Sequence, residues 1–163
     1  MITQRANTIT FMLRTSVKYK KQPFAGSAIK LYRKVRGGNS CLMNTDCGRY
    51  TIIGYQPFMI FEGGPLKILK TIQDSVKILN LKKLPKDFPP FKGGAIGYLS
   101  YDLGLHLYGI KSRVRNDIGT PGIYFAYYDK VIVIDNKKKQ MWFIAFSDKL
   151  LKEIEKDLKT SLN

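Results

Sequence analysis

Cysteine, histidine and acidic residues are scarce in this chain, and long hydrophobic runs are missing. Two cysteines, Cys41 and Cys47, and one histidine, His106, are all it holds of those types. Their spacing fits neither a Cys-x-x-Cys motif nor a zinc-ligand pattern. Two thiols in a chain of this size also exclude a disulfide-dense mini-protein. They read as reduced, half-buried residues, with a disulfide between them left open. His106 lies between Leu105 and Leu107 and reads as a structural or surface residue, not a catalytic base. The twelve acidic residues are dispersed. Only Glu153, Glu155 and Asp157 cluster, and lysines alternate with them, so they read as a solvated helix face. No paired carboxylates or metal-ligand spacing stands out, and an independent active site is not expected. No apolar run approaches the roughly 20 residues of a membrane span. The first residues lead into no signal-peptide core. The expectation is a cytoplasmic protein with no membrane partner.

The chain has 163 residues, enough for one domain. Ten Tyr, nine Phe and one Trp can fill a core, and 44% hydrophobic with 25% charged residues excludes intrinsic disorder. Charge is the outlying feature: 28 Lys and Arg against 12 Asp and Glu give +16. Such an excess attracts polyanions, so a stand-alone basic nucleic-acid-binding module is one alternative. Against it, 21 of the 28 are Lys rather than the Arg that base and phosphate recognition favours. The lysines are also scattered, which reads as a solvated surface.

Periodicity predicts an α+β fold: a largely antiparallel sheet with about three helices. Alternation at Ile9, Phe11 and Leu13 predicts a strand, followed by a solvated basic stretch at Lys18, Lys20 and Lys21. Ala28, Leu31, Tyr32 and Val35 predict a helix over 26–36, ended by Gly37-Gly38. Strands are predicted over 40–45, 49–54 and 57–62. A helix opening at Pro65 carries Leu69, Ile72, Val76 and Leu79 on one face. The glycine-rich run 93–101 predicts a strand that another backbone or a ligand approaches closely. Residues 102–121 read as irregular, with one helical turn. Strands follow near 122–135, broken at Asp129, and 140–146, joined by a turn at Asp135–Lys139. Ser147 then caps a final helix bearing Leu150, Leu151, Ile154 and Leu158.

Two glycine and aromatic features admit functional readings. Gly93-Gly94-x-x-Gly97 matches part of a dinucleotide fingerprint, but a Pro-Pro-Phe loop precedes it and a strand follows, which is the wrong context. Tyr98, Tyr101, Tyr124, Tyr127 and Tyr128 could stack bases on a sheet, yet read more simply as core residues.

Three segments together resemble a known family. Gly48-Arg49-Tyr50-Thr51-Ile52-Ile53-Gly54-Tyr55-Gln56-Pro57 is the first. Pro89-Pro90-Phe91-Lys92-Gly93-Gly94-Ala95-Ile96-Gly97-Tyr98-Leu99-Ser100-Tyr101-Asp102 is the second. The strand pair from Pro121 to Asp135 is the third. In order and spacing they are similar to segments of the component I subunits of anthranilate synthase and para-aminobenzoate (aminodeoxychorismate) synthase. The resemblance covers about residues 23–147. It implies that residues 1–163 form a single N-terminal domain lacking the chorismate-binding catalytic domain. That family aminates chorismate with ammonia from a glutamine amidotransferase subunit. The expected partners are therefore a catalytic domain, fused or separate, and that amidotransferase. No catalytic residue and no cofactor is expected in this chain, and magnesium is expected only in the catalytic domain. The resemblance also implies a tryptophan-type pocket at Leu42, Met43, Asn44, Arg49 and Tyr50, where Asn44 replaces the family's serine. That replacement, and a shorter loop between the segments, tilts the reading to para-aminobenzoate synthase and folate biosynthesis. The alternative is anthranilate synthase, with a feedback site, in tryptophan biosynthesis.

Overall fold

In a computed structural model, residues 16–45, 47–63, 84–110 and 119–160 are described. They form two antiparallel sheets and, among the described residues, three helices. The predicted strand at Ile9–Leu13 and the predicted helix from Pro65 lie outside the described residues.

The larger sheet has five strands in the order β1 (Lys18–Pro23), β8 (Gln140–Ala145), β7 (Lys130–Asp135), β3 (Tyr50–Gly54) and β2 (Cys41–Thr45). The smaller has β4 (Met59–Glu62), β6 (Ile123–Tyr128) and β5 (Gly94–Leu99). Helices α1 (Ala28–Val35) and α3 (Asp148–Thr160) cover one face of the larger sheet, and α2 (Tyr101–Leu107) follows β5. Two apolar layers result. Val35, Ile53, Ile132, Ile134, Phe143 and Ile154 join the helices to the larger sheet. Ile52, Val131, Val133, Trp142 and Ile144 meet Ala126 and Tyr128 between the sheets. β7 is therefore buried on both faces along its whole length. Its sequence, Lys-Val-Ile-Val-Ile-Asp, runs apolar without alternating because neither face meets water.

Local chemistry sets the ends of these elements. Ser27 caps α1, and the Ser147 hydroxyl accepts from the Leu150 N–H at 3.3 Å as α3 opens. Asp148 in the first turn of α3 and Lys159 in the last complement its dipole. In the β7–β8 turn, Asp135 Oδ1 accepts from the Lys138 N–H at 2.9 Å.

Several expectations are corrected. The basic stretch at Lys18, Lys20 and Lys21 is solvated as expected, but it is also a strand: β1, paired along six residues with β8. Its charges are matched from elsewhere in the chain. Lys18 pairs with Asp148 at 3.4 Å, Lys20 with Glu155, and Lys21 with Asp87 at 2.6 Å. Lys21 Nζ also lies 4.9 Å above the Trp142 ring. The strand predicted over 93–101 stops at Leu99, because Ser100 turns the chain: its hydroxyl accepts from the Leu103 N–H at 3.3 Å. The segment after it is a seven-residue helix rather than a single turn. Tyr127 and Tyr128 are core residues as expected, but Tyr98 and Tyr101 are exposed. Both cysteines are free thiols; Cys41 is half-buried and Cys47 is exposed rather than half-buried.

Asp129 links β6 to β7 and so lies where the chain passes between sheets. Burial raises its carboxyl above the ordinary 3.8, with Lys130 opposing and Glu153 adding to the rise. A raised folded-state pKa means the charged carboxylate destabilises the fold once pH climbs above the unfolded value, and fully above the folded one. Asp129→Asn is therefore expected to raise the melting temperature at pH 7. The gap to the parent should close as pH falls to about 4 and below. Thermal melts of both proteins across pH 3–8 check this; a gap independent of pH counts against it.

Candidate functional site

At one end of the space between the sheets, register brings polar residues into a single row. Thr45 on β2 lies opposite Tyr50 on β3, Tyr50 opposite Asp135 on β7, and Asp135 opposite Gln140 on β8. Directly opposed residues share a face, and neighbouring strands lie about 4.8 Å apart, so the row crosses four strands. Its face is the one toward the smaller sheet, since Ile52 and Trp142, two residues along the same strands, pack there.

Arg49 overhangs the row. Its guanidinium lies 4.9 Å from the Tyr50 ring centroid, and its Nη2 is 3.7 Å from Asp135 Oδ2. Asp135 is buried while Arg49 is about one-third exposed, so the cation screens the carboxylate from one side. Thr45 Oγ1 and Gln140 Oε1 are buried and have no hydrogen-bond partner among the described residues. Buried polar atoms normally have partners, so each of these acceptors, three strand spacings apart at the two ends of the row, invites a donor of its own.

The five residues expected at a pocket divide between faces. Met43 and Tyr50 face the space between the sheets, and Arg49 reaches over it. Leu42 packs toward the helices with Ile53. Asn44 is also on the helix side, opposite Thr51, whose hydroxyl donates to Asn44 Oδ1 at 2.8 Å. The Asn136 side chain in turn donates to Thr51 Oγ1 at 3.0 Å and to the Gly48 carbonyl at 2.8 Å. Three residues in the row were not anticipated: Thr45, Asp135 and Gln140. The signal for Thr45 was strand parity alone, because it stands two residues from Met43 on the same face.

The opposite rim of the inter-sheet space is aromatic. The Tyr128 hydroxyl donates to the Asn39 carbonyl at 2.6 Å, and the Tyr124 hydroxyl donates to Asn39 Oδ1 at 2.9 Å. Burial raises both phenols above their ordinary value, with Cys41 adding at Tyr128 and Glu62 at Tyr124. Neither is a proton donor or base near neutral pH.

On the helix side, Lys130 is buried with Glu153 Oε2 at 3.2 Å, Asp157 Oδ2 at 3.5 Å and the Tyr55 ring centroid at 5.1 Å. Burial first, and then the Asp157 carboxylate, push the Tyr55 phenol far above its ordinary value. Lys130 and the three β1 lysines thus help hold α3 and β1, while the +16 surplus itself is unchanged, because each pair uses an acid as well as a base. Among the described residues, no three of His, Cys, Asp and Glu come together to hold a metal. Nor is any helix among them long and apolar enough to cross a membrane.

No family model matches the chain. It is 30% identical over 152 residues to anthranilate synthase component 1 of Acetivibrio thermocellus, covering 82% of this chain and 29% of that protein. It is 29% identical over 151 residues to aminodeoxychorismate synthase component 1 of Bacillus subtilis, covering 79% of this chain and 30% of that protein. Among solved structures, anthranilate synthase component I from Streptococcus pneumoniae matches with a TM-score of 0.48 at 24% identity. That match covers 88% of this chain and 36% of that one. The chain thus spans under one-third of the length of these two sequence relatives.

Proposed function

The chain belongs to the component I family of anthranilate and aminodeoxychorismate synthases, and on that premise we propose that it is the family's non-catalytic N-terminal domain. Its role is to support the catalytic domain that aminates chorismate, within an assembly that includes a glutamine amidotransferase. The observation that carries the reading is homology along four-fifths of this chain to less than one-third of each relative. Magnesium belongs to the catalytic domain in this reading, and no step at this chain's residues uses it.

Of the two branches, we favour the aminodeoxychorismate synthase of folate biosynthesis. Asn44, where the resemblance set the ligand-holding serine, already accepts from Thr51 on the helix side. The row between the sheets supports an α-amino acid pocket of a structural kind. Arg49 offers a carboxylate its guanidinium, Thr45 Oγ1 offers an ammonium an acceptor, and Met43 and Tyr50 offer apolar surface.

The experiment is to capture the native polypeptide bearing this chain from its source cells with an antibody. Chorismate, ammonium and magnesium are then supplied and the product identified by mass. 4-Amino-4-deoxychorismate is expected. Anthranilate would move the protein to the tryptophan branch, and failure to consume chorismate would overturn the reading.

A further inference from the structure

Five of the eight exposed large apolar side chains among the described residues lie within a thirteen-residue span. They are Tyr98 at 41% exposure, Leu99 at 50%, Tyr101 at 87%, Tyr108 at 83% and Ile110 at 55%. They occupy the outer end of β5, the start of α2 and the turn after it. Tyr98 shares the inter-sheet face of β5 with Ile96 and its partner Tyr124, and Leu99, the next residue, faces the other way. Single exposed apolar residues are ordinary, but a group gathered at one edge of a sheet marks an interaction surface.

The group is held in place. The Ser100 N–H donates to the Gly122 carbonyl at 2.9 Å, and the Ile110 N–H to the Leu105 carbonyl at 2.9 Å. Tyr98 stacks on Tyr124 with ring centroids 5.6 Å apart and planes within 16°. β5 is also an edge of its sheet, bonded to β6 on one side only among the described strands. Open edges are normally covered, charged or bulged.

Here positive charge is what is missing, and Asp102 is the one acidic residue. Residues 93–110 are the longest run in the chain without Lys or Arg, in a sequence that otherwise averages one in about five. Loss of charge together with clustered tyrosine is the signature of an interface core, not of a solvated surface. It also disfavours nucleic acid, whose backbone would need cations beside the stacking rings.

We propose that the outer edge of β5 and α2, through Leu99, Tyr101, Tyr108 and Ile110, dock the remaining portion of a component I polypeptide. The inference rests on the function proposed above. Two observations favour that occupant over a separate subunit or a second copy. About 70% of each relative's length lies outside what this chain spans. The face is apolar and charge-poor, as permanent contacts are, whereas transient encounters between separate chains use more polar surfaces.

The test co-expresses this chain with the part of Bacillus subtilis aminodeoxychorismate synthase component 1 that it does not span. Complex formation is read by sedimentation, and chorismate amination is read alongside. The triple variant Leu99→Ser, Tyr101→Ser, Tyr108→Ser is compared with the parent and with Ile29→Ser, an exposed apolar residue on α1. The parent and Ile29→Ser are expected to form a 1:1 complex. The triple variant should lose at least about tenfold in affinity with its urea midpoint nearly unchanged, because these side chains are exposed. In the parent complex, amide exchange over 98–110 should slow. An active complex that the triple variant forms equally well overturns this face and leaves the proposed function standing. Loss of self-association or of amidotransferase binding, with that complex intact, also overturns it. Absence of any complex with any of the three proteins overturns both.

Discussion

Replacing Lys130 by alanine is expected to destabilise the chain by about 3 kcal/mol. The ammonium is buried, its side chain 6% exposed, between Glu153 at 3.2 Å and Asp157 at 3.5 Å. Deleting one member of a buried pair leaves uncompensated charge and costs roughly 3–5 kcal/mol. Two effects set where in that range the loss falls. The carboxylates are about one-third exposed, so water takes over part of the ammonium's role. In the other direction, Glu153 and Asp157 are four residues apart on α3 and repel once the cation is gone. The buried stem of the lysine also leaves a void against the Tyr55 ring. Lys130→Met keeps most of the stem and should lose about 1–2 kcal/mol. Combining it with Glu153→Gln and Asp157→Asn should recover most of that, since an apolar replacement of a whole ion cluster is often neutral. Urea midpoints at constant m-value check the series. A loss below about 1 kcal/mol for Lys130→Ala would show that α3 is held by its apolar face alone.

That lysine also marks the limit of what the sequence discloses. Lys130 sits in a run of β-branched residues, so the strand was legible, yet nothing local says that its charge is buried. Its partners stand more than twenty residues away, on a helix whose acidic residues looked like a solvated face. The same blindness applies to β1. Lys20 and Lys21 are strand residues because their backbone pairs with β8, and Glu155 and Asp87, 135 and 66 residues away, meet their charges. Three lysines in six residues carry no alternation that could announce this. Strands with strong apolar content, such as β3, β7 and β8, were legible because burial on one or both faces selects their side chains directly. α2 was shortened to a turn because Ser100, its cap, sits inside a strand-like run.

The candidate site divides for a related reason. Arg49 and Tyr50 were singled out as a pair; Tyr50 stands in the row and Arg49 lies over it. Asn44 and Thr45 differ by one residue, and in a strand one residue decides the face. A resemblance that aligned Asn44 with a ligand-holding serine therefore named the polar side chain that turns toward the helices. Asp135 comes beside Tyr50 only through strand order, which no local pattern encodes, and Gln140 then stands beside Asp135 across the predicted turn.

Gly97→Ala is expected to break the pairing of β5 and to destabilise the chain by about 3 kcal/mol or more, the upper end of ordinary overpacking. A Cβ at this position would overlap the Tyr124 carbonyl oxygen and lie 2.7 Å from both Phe125 Cα and Cδ1. Two of those atoms are backbone of the central strand β6, which β4 holds from its other side. They cannot move aside as the end of a side chain would, so the strand carrying the methyl must leave. Gly54 is a useful contrast. Its Cβ would meet the Tyr128 ring at 2.9–3.0 Å, a side chain that can tilt at the expense of its hydrogen bond to Asn39. Gly54→Ala should therefore cost less, about 1–2 kcal/mol. Because β5 is an edge, the Gly97→Ala lesion should begin locally. Amide exchange should accelerate over 94–99 before β7 and β8 change, and the m-value should fall if the native state has already shed that strand. The strand's departure would carry Tyr98 and Leu99 with it and dismantle the exposed aromatic face at its end. A Gly97→Ala protein with parental exchange in β5 would mean that β6 yields instead, and that this close approach of two backbones is not what fixes the smaller sheet.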